Sequence, residues 1–228
     1  MFFISQYMTK IHPSRNKMIQ STKPLIYSVE GNIGAGKTTF LRAIEHTLCN
    51  QGRTDIRVIY EPVDNWTKIK DDEGKTILRN FYENPAKYAF PFQIMAFSSR
   101  LNLLREEIKK YPDCKIFLCE RSLEADSQVF AKMLFEDGLM DTMSYQIYRQ
   151  LYENGIGEYA VSKTIYLRME PETCMNRVGV RQREGEDTIT LDYLKKCHEY
   201  HETWLNAHDK PNTLLETDSD IETFICTI

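Results

Sequence analysis

The sequence has no Cys-x-x-Cys pair among its six cysteines, no apolar run long enough to cross a membrane and no large net charge. Scattered cysteines argue against a zinc site and a disulfide framework, and they favour a reducing compartment. A formal net charge of −4 gives no basic field of the kind that attracts nucleic acid. We therefore expect a cytoplasmic globular protein with no nucleic-acid partner and no membrane segment.

Acidic residues are also missing between Met1 and Val29, a stretch that contains Lys10, Arg15 and Lys17. Residues 1–22 are therefore predicted to form a basic, flexible arm. A mitochondrial presequence is the alternative, because presequences are basic and poor in acidic residues. No internal repeat, low-complexity tract or linker divides the rest, so we predict one domain over residues 23–228.

A glycine-rich loop follows a short apolar run in the sequence LIYSVEGNIGAGKTT. The loop fits the pattern Gly-x4-Gly-Lys-Thr, and a segment of helical composition follows it. Glycines let successive backbone N–H groups point at phosphate oxygens, and the helix adds the positive end of its dipole. We predict a triphosphate site with Lys37 at the β- and γ-phosphates and the Thr38 hydroxyl at Mg²⁺. The predicted ATP-binding residues of the loop are Gly31, Asn32, Ile33, Gly34, Ala35, Gly36, Lys37, Thr38 and Thr39.

Strand-like and helix-like segments alternate along the chain. The predicted strands are Leu25–Glu30, Ile56–Glu61, Lys115–Glu120, Lys163–Met169 and Asn212–Thr217. The predicted helices are Gly36–Gln51, Lys75–Tyr82, Phe90–Lys110, Leu123–Phe135, Asp141–Asn154, Pro171–Val180, Leu191–His208 and Asp220–Ile228. Helix breaks are predicted around Pro85 and Pro91. Strands separated by long helices predict an α/β fold, a five-stranded parallel sheet with helices on both faces. Ligands of such sheets bind beyond the carboxyl ends of the strands.

Two carboxylates follow strands at the edge of the sheet where the glycine loop lies. Glu61, held there by Pro62, would take a proton from an attacking hydroxyl, although an exposed surface carboxylate is the alternative. Glu120 ends a strand at the place where enzymes with this loop hold Mg²⁺. Arg121 beside it would neutralise charge on the transferred phosphoryl group, and a Glu–Arg surface pair is the alternative.

Two further patterns are compatible with both function and structure. The arginines Arg177, Arg181 and Arg183 predict either a mobile lid over the triphosphate or a solvated helix end with salt bridges to nearby glutamates. Gln93 lies among phenylalanines on an apolar segment. Its side chain suits the edge of a nucleobase, because it has both a donor and an acceptor, but a core Gln satisfied by backbone is equally compatible.

The motifs GNIGAGKTTF, EPVDNW, FQIMAFSSR, CERSLEAD and RVGVRQRE, in this order and at these separations, resemble those of the deoxyribonucleoside kinases. The resemblance extends from about Leu25 to the C-terminal helix. It implies a P-loop kinase with an Arg-rich helical lid, which uses ATP and Mg²⁺ to phosphorylate the 5′-hydroxyl of a deoxynucleoside in nucleotide salvage. It also implies a homodimer and inhibition by the deoxynucleoside triphosphate end product.

The resemblance also implies roles for individual residues. Glu61 is the general base, Arg121 contacts the 5′-hydroxyl and the incoming phosphoryl group, and Lys37 completes the catalytic set. Thr38 and Glu120 hold Mg²⁺, and Arg177, Arg181 and Arg183 form the lid. The implied substrate-binding residues are Glu61, Trp66, Tyr82, Phe92, Gln93, Arg100, Arg121, Asp126, Phe130 and Glu186. Among them Gln93 binds the base, Tyr82 and Glu186 hold the 3′-hydroxyl, and Trp66, Phe92 and Phe130 form the walls. Asp220 and Ile221 are weaker candidates for contacts to the donor base.

Two positions bear on the substrate. In the family, an Arg and an Asp at the positions of Arg100 and Asp126 mark the deoxycytidine and purine-nucleoside kinases. The thymidine-preferring members have smaller or apolar residues there, which leave room for the thymine methyl. Burying a charged pair against a methyl costs on the order of 1–3 kcal/mol per unsatisfied group. We therefore expect deoxycytidine or a purine deoxynucleoside rather than thymidine, with a thymidine-preferring kinase as the alternative.

Two other functions remain compatible with the sequence. A nucleoside monophosphate kinase of the thymidylate type shares the glycine loop and the lid, but it needs a cationic clamp for the acceptor phosphate. A regulatory or scaffold subunit that binds nucleotide without catalysis is less favoured, because Lys37, Glu61, Glu120 and Arg121 are all present.

Overall fold

The computed structural model describes residues 23–157, 159–207, 212–216, 219–220 and 223–224. The predicted arm (residues 1–22), Ile221 and most of the predicted terminal helix lie outside these described residues. The strands are β1 (Leu25–Glu30), β2 (Ile56–Ile59), β3 (Ile116–Glu120), β4 (Lys163–Leu167) and β5 (Asn212–Leu215). They pair in parallel in the order β2-β3-β1-β4-β5, which confirms the predicted α/β fold.

The helices of the described residues alternate with these strands. They are α1 (Lys37–Asn50), α2 (Val63–Trp66), α3 (Ile77–Glu83), α4 (Pro85–Lys110), α5 (Leu123–Ala125), α6 (Lys132–Glu136), α7 (Thr142–Ile156), α8 (Pro171–Arg181) and α9 (Leu191–Asn206). A π-helical turn (Asp126–Ala131) joins α5 to α6, and a 3-10 turn (Glu186–Thr188) precedes α9. None of the helices in the described part of the chain has the length and apolar composition needed to span a bilayer.

The central strand β1 is covered on both faces. Val29 packs in one core with Leu41 of α1 and Val178 of α8. Ile26 packs in another core with Leu104 of α4 and Phe117 of β3. Side chains alternate between the two faces of a strand, so both sets of helices bury apolar surface against the same sheet.

The sheet brings two functional segments to one edge. Val29 of β1 pairs with Glu120 of β3, so the glycine loop after β1 begins beside the Glu120 carboxylate. The neighbours of β1 are β3 on one side and β4 on the other, so the chain connections diverge at this strand. A crevice forms at such a point in open parallel sheets, and ligands bind there.

The prediction that β2 continues to Glu61 was wrong by two residues. The strand ends at Ile59, and the backbone N–H of Glu61 points to the Glu120 carboxylate at 3.5 Å instead of continuing the ladder. Pro62 then precedes the short helix α2 (Val63–Trp66), a segment for which no helix was predicted from the sequence. Glu61 therefore lies on a turn beyond the strand and not in it.

The predicted helix break around Pro85 is confirmed, because α3 ends at Glu83 and Asn84 is not helical, whereas the break predicted around Pro91 was wrong. Pro85 is the first residue of α4, where its missing N–H costs nothing, and the Asn84 side chain caps the helix by accepting from the N–H of Lys87. Pro91 lies inside the helix and is exposed. The carbonyl that it leaves unpaired can be hydrated, and the buried face of α4 compensates for the roughly 3 kcal/mol that an internal proline costs.

The predicted helix Leu123–Phe135 is interrupted by the π-helical turn. The turn begins at Asp126 and contains Phe130, and both side chains are buried. A π-helical turn inserts an extra residue, so it rotates the side chains that follow relative to a regular helix. The turn therefore sets which residues of this segment face the interior.

Candidate active site

The glycine loop is a tightly packed turn between β1 and α1. Gly31, Gly34 and Gly36 have φ angles of 144°, 84° and 97°, a region that side chains other than glycine rarely adopt. A Cβ atom at Gly34 would lie 2.4 Å from the carbonyl oxygen of Cys174, on α8. The Asn32 side chain donates to the carbonyl of Leu194 at 2.8 Å, which fixes the loop to α9.

Lys37 lies folded into this loop. Its Nζ donates to the carbonyl oxygens of Gly31 at 3.1 Å and of Asn32 at 2.8 Å. Burial and the neighbouring Arg121 lower the pKa of Lys37 to about 7, although Glu120 and other carboxylates act in the opposite direction. The ammonium group is thus placed where bound phosphate would restore its charge.

Thr38 and Glu120 meet at the start of α1 and the end of β3. The Thr38 hydroxyl donates to Glu120 Oε1 at 2.6 Å. Hydroxyl and carboxylate oxygens are ligands that Mg²⁺ accepts, and Mg²⁺ sites of kinases use one or two carboxylates together with substrate phosphates. The described residues contain no cluster of three or more His, Cys, Asp or Glu suited to a metal. The Thr38–Glu120 pair therefore fits a metal that shares its ligands with a triphosphate.

Glu61 is held between two arginines. Its Oε1 contacts Nη2 of Arg100 and lies 3.6 Å from Nε of Arg121. Burial raises the pKa of Glu61, but Arg100, Arg121 and Lys37 together outweigh burial and lower it to about 2. The carboxylate is therefore ionised, partly buried and part of the lining of the same cleft as Lys37.

This cleft joins the glycine loop to an aromatic pocket and is partly open to solvent. Its lining includes Ile33, Gly34, Lys37, Glu61, Trp66, Tyr82, Phe92, Gln93, Arg100, Glu120, Arg121, Asp126, Phe130, Arg181, Arg183 and Glu186, which the sequence analysis named. It also includes Val63, Leu78, Phe81 and Tyr193, which that analysis missed.

Two of these four residues have little or no sequence signal that marks them as part of a site. Phe81 stacks on Phe92 with ring centroids 4.5 Å apart, and its position before Tyr82 was the available signal. Tyr193 comes from α9 and packs edge-on against Tyr82 at 5.9 Å. Its sequence neighbours carry no motif, so only the packing of α9 against the cleft reveals it.

Gln93 projects from α4 into the aromatic end of the cleft. The residue is 1% exposed, and its Oε1 has no hydrogen-bond partner among the described residues. Trp66 and Phe92 form the adjoining wall, with ring centroids 5.7 Å apart in an edge-on arrangement. A core Gln satisfied by backbone, the alternative in the sequence analysis, would not leave this oxygen unpaired.

Arg100 also pairs with Asp126, as the resemblance implied for these two positions. Arg100 Nη1 donates to Asp126 Oδ1, and the Tyr148 hydroxyl donates to Asp126 Oδ2 at 3.0 Å. Burial raises the pKa of Asp126, although Arg100 and Tyr148 oppose that shift. The Arg100 guanidinium lies 5.0 Å from the Trp66 ring, so charge and aromatic surface meet at the far end of the pocket.

The Arg-rich segment also contributes to the lining of the cleft. Arg181 makes a two-point ion pair with Glu186, and Arg183 donates to the same carboxylate at 3.3 Å. Glu186 is buried, which excludes a fully solvated helix end. Burial and the Glu186 charge raise the pKa of Tyr82 in the same cleft.

Arg177 lies apart from that cleft. Its Nη1 donates to the Ala35 carbonyl at 3.2 Å, so it lies over the glycine loop. It lines a neighbouring cavity of about 340 Å³ together with Gly36, Thr38, Thr39, Arg181 and Arg183. Arg42, which the sequence analysis did not name, also lines this cavity, one helical turn after Thr38.

Similarity to known proteins agrees with this arrangement. A profile of the family described as deoxynucleoside kinase matches residues 27–227. The deoxycytidine kinase of Mus musculus is 32% identical over 212 residues, which cover 85% of this chain and 80% of that protein. The mitochondrial deoxyguanosine kinase of Xenopus laevis is 30% identical over 237 residues, covering 92% and 86%. A probable deoxycytidine kinase of Fowlpox virus is 31% identical over 199 residues, covering 85% and 78%.

Proposed function

The chain belongs to the deoxynucleoside kinase family and is an ATP-dependent transferase, and we propose that it moves the γ-phosphoryl group of ATP to the 5′-hydroxyl of a deoxynucleoside. One observation carries this proposal. Glu61, Arg121 and Lys37 line a single cleft, between the glycine loop at one end and the Gln93 pocket at the other. A nucleoside bound in the pocket would place its sugar alcohol between the carboxylate and the triphosphate.

Glu61 is the proposed general base. Arg100 and Arg121 keep it ionised, and a carboxylate of low pKa is adequate for this reaction. In a loose phosphoryl-transfer transition state the attacking hydroxyl becomes strongly acidic only as its bond to phosphorus forms. Glu61 therefore orients the hydroxyl by accepting its hydrogen bond and takes the proton late.

Positive charge around the glycine loop is proposed to stabilise the transferred group. Lys37 and Arg121 border the cleft at the loop, and Arg181 and Arg183 border both the cleft and the neighbouring cavity. Arg177 lies over Ala35. These fixed cations oppose the negative charge on the phosphoryl oxygens and need no reorganisation during the reaction.

Thr38 and Glu120 are the proposed Mg²⁺ ligands. Their oxygens already lie 2.6 Å apart at the base of the loop. A bound Mg²⁺ would supply charge neutralisation at the phosphates. Glu120 also accepts from the backbone N–H of Glu61 at 3.5 Å, so it links the metal side of the site to the base.

Deoxycytidine or a purine deoxynucleoside is the proposed acceptor. The Arg100–Asp126 pair fills the end of the pocket with charge, which suits an exocyclic amino group better than the thymine methyl. The relatives named after deoxycytidine and deoxyguanosine support this preference. Turnover of thymidine faster than the other three deoxynucleosides would contradict it.

A salvage role, a homodimer and end-product inhibition are further proposals. Met143 and Ile147 support the dimer, because they are one turn apart on α7 and are 72% and 49% exposed. Sedimentation of the full chain as a monomer would contradict the dimer. Inhibition assays with each deoxynucleoside triphosphate test the regulation. Fractionation of cells that express the full chain decides between the cytoplasm and the mitochondrion.

One experiment tests the proposed reaction. Each of the four deoxynucleosides and, in separate reactions, each of their monophosphates is incubated with ATP labelled at the γ-phosphate, using the wild-type chain and Glu61→Gln. We expect labelled deoxynucleoside monophosphate from the wild type and a loss of roughly 10²–10⁴-fold in kcat for the variant. Transfer to deoxynucleoside monophosphates instead of deoxynucleosides would overturn the proposal.

A further inference from the structure

Arg121 adopts an unusual backbone conformation. Its φ angle is 65°, a left-handed value that among the described non-glycine residues is shared only with Gln182. Side chains with a Cβ are strained in this region, so a conformation of this kind persists only where its surroundings impose it. The left-handed turn carries the Arg121 side chain away from β3 and back across the glycine loop, where Nη2 donates to the Gly31 carbonyl at 3.2 Å.

Glu30 holds the backbone of this turn. It is the last residue of β1, it is fully buried, and it does not line the cleft. Its Oε1 accepts from the N–H of Ser122 at 2.9 Å, while the N–H of Arg121 donates to the Val29 carbonyl at 3.0 Å. The two successive N–H groups of the strained turn are thus both held by the end of β1.

His201 holds the guanidinium group. It is a fully buried residue of α9 and, like Glu30, it does not line the cleft. Its Nδ1 lies 2.6 Å from the Cys197 carbonyl, which only accepts, so Nδ1 carries the proton. Nε2 therefore presents a lone pair, and Arg121 Nη1 lies 3.4 Å from it. Burial and Arg121 lower the pKa of His201 well below its ordinary value, which keeps the ring neutral.

We propose that Glu30 and His201 are positioning residues for Arg121, with Glu30 fixing its backbone and His201 fixing its guanidinium against the glycine loop and Glu61. The proposal rests on the proposed function, because it assigns Arg121 to the transferred phosphoryl group. Neither residue touches the substrate cleft, so both act through Arg121.

The neutrality of His201 matters to this role. A carboxylate at the same place would compete with Glu61 and with phosphate for the guanidinium. A neutral acceptor directs one N–H of Arg121 and leaves its charge available. The aromatic ring of Phe130, whose centroid is 4.5 Å from the Arg121 guanidinium carbon, supports the charge in the same non-competing way.

Two amide substitutions at His201 distinguish a positioning role from a packing role, because each preserves the hydrogen bond of only one ring nitrogen. In His201→Asn the short amide replaces Nδ1 and can still donate to Cys197, but nothing reaches Arg121. In His201→Gln the longer amide places an oxygen near the position of Nε2. We expect His201→Asn to lower kcat roughly 10- to 100-fold with little change in the nucleoside KM, and His201→Gln to recover most of the loss. His198→Asn, on the same helix, is the matched control.

Glu30 is tested in the same way. Glu30→Gln keeps an oxygen that accepts from Ser122, and we expect it to retain most of kcat. Glu30→Ala removes that acceptor and releases the strained turn, and we expect it to lower kcat with the nucleoside KM nearly unchanged. Equal kcat in the two Glu30 variants would contradict the role assigned to this residue.

A double-variant cycle with Arg121→Ala measures the coupling in kcat between His201 and Arg121, which a role in packing alone would not produce. If His201 acts through Arg121, His201→Asn causes no further loss of kcat in the Arg121→Ala background. The proposal is overturned if the losses of kcat from His201→Asn and Arg121→Ala are fully additive. It is also overturned if His201→Asn and His201→Gln lose equal kcat and these losses correlate with their unfolding midpoints. Should His201→Asn fail to fold, His201→Phe, which fills the same space without an acceptor, takes its place in the cycle.

These experiments can distinguish a failure of the positioning inference from a failure of the proposed function. If the wild-type chain transfers no phosphate to any deoxynucleoside, the proposed function fails. If the wild type is active and Arg121→Ala is impaired while His201→Asn and Glu30→Ala match the wild type, only the positioning inference fails.

Discussion

The guanidinium of Arg181 forms a bidentate ion pair with the carboxylate of Glu186, with Nε 2.7 Å from Oε2 and Nη2 2.6 Å from Oε1. Glu186 is buried in the wall of the cleft that also contains Gln93, whereas Arg181 also borders the cavity over the glycine loop. Under the proposed function, this one ion pair joins the acceptor half of the site to the donor half. A two-point pair of this kind fixes orientation as well as charge.

Glu186→Gln should raise the nucleoside KM by roughly tenfold and weaken the hold on Arg181, because a neutral amide replaces an ionised acceptor. Steady-state kinetics with the preferred deoxynucleoside measure this effect. Glu184→Gln, two residues earlier and exposed, is the matched control and should behave as the wild type. An unchanged KM in Glu186→Gln would show that the buried carboxylate does not hold the sugar.

Gly34→Ala should unfold or inactivate the protein, because its Cβ would meet the Cys174 carbonyl at 2.4 Å in a backbone held at φ 84°. Gly74→Ala is the control for strain alone, since its φ is 81° but nothing lies within 4 Å of the added Cβ. We expect about 1–2 kcal/mol of destabilisation in Gly74→Ala and a markedly larger loss in Gly34→Ala. Urea unfolding of both variants measures the difference, and equal losses would contradict close packing at the loop.

Binding of ATP should draw a proton onto Lys37 at pH 8. With its pKa lowered to about 7, Lys37 is mostly neutral in the free protein at this pH. Triphosphate favours the ammonium form, so the pKa rises and up to about one proton is taken up per site. Calorimetric titrations in buffers of different ionisation enthalpy count these protons. Lys37→Met should abolish the uptake, and an equal binding enthalpy in all buffers would contradict the prediction.

Arg100→Met should move the acid limb of the kcat/KM profile to higher pH. Arg100 contributes to the lowering of the Glu61 pKa to about 2, so its removal lets burial raise that pKa. The ion pairs of Glu61 stabilise the folded protein above the ordinary Glu pKa of about 4.3 and lose that contribution as pH falls toward 2. The variant should therefore lose both activity and stability at a higher pH than the wild type does.

Rate and unfolding profiles from pH 4 to 8 test this prediction. Arg105→Met, an exposed change on the same helix, is the control and should leave both profiles unchanged. Coincident acid limbs in Arg100→Met and the wild type would argue that another group controls protonation of the site.

The local sequence predicted the elements of the site well where chemistry and spacing are repeated along a short segment. The glycine loop between β1 and α1 was found because apolar residues, glycines and Lys37 follow each other directly. Glu120 was placed at the end of β3 for the same reason. The break predicted around Pro91 was wrong, because an exposed proline can be accommodated in a helix whose other face is buried.

Residues that act through distant partners were harder to recognise. Tyr193 and His201 lie on α9, and nothing in their neighbourhood marks them as part of a site. The π-helical turn that begins at Asp126 carries no sequence signature either, because its extra residue depends on how the segment packs. In the sequence Glu30 is only the last residue of a strand. Its role depends on the left-handed turn at Arg121, which places the N–H of Ser122 against its carboxyl group.

The sequence by itself determined the alternation of strands and helices, the triphosphate loop and the residue types of the site, because these depend on periodicity, glycine conformations and short spacings. Only the tertiary structure decided that Glu61 meets Arg100 and Arg121, that Arg181 meets Glu186 and that α9 reaches Arg121. Such contacts join residues far apart in the chain, and they form only when parallel strands align their carboxyl ends and the helices pack against the sheet.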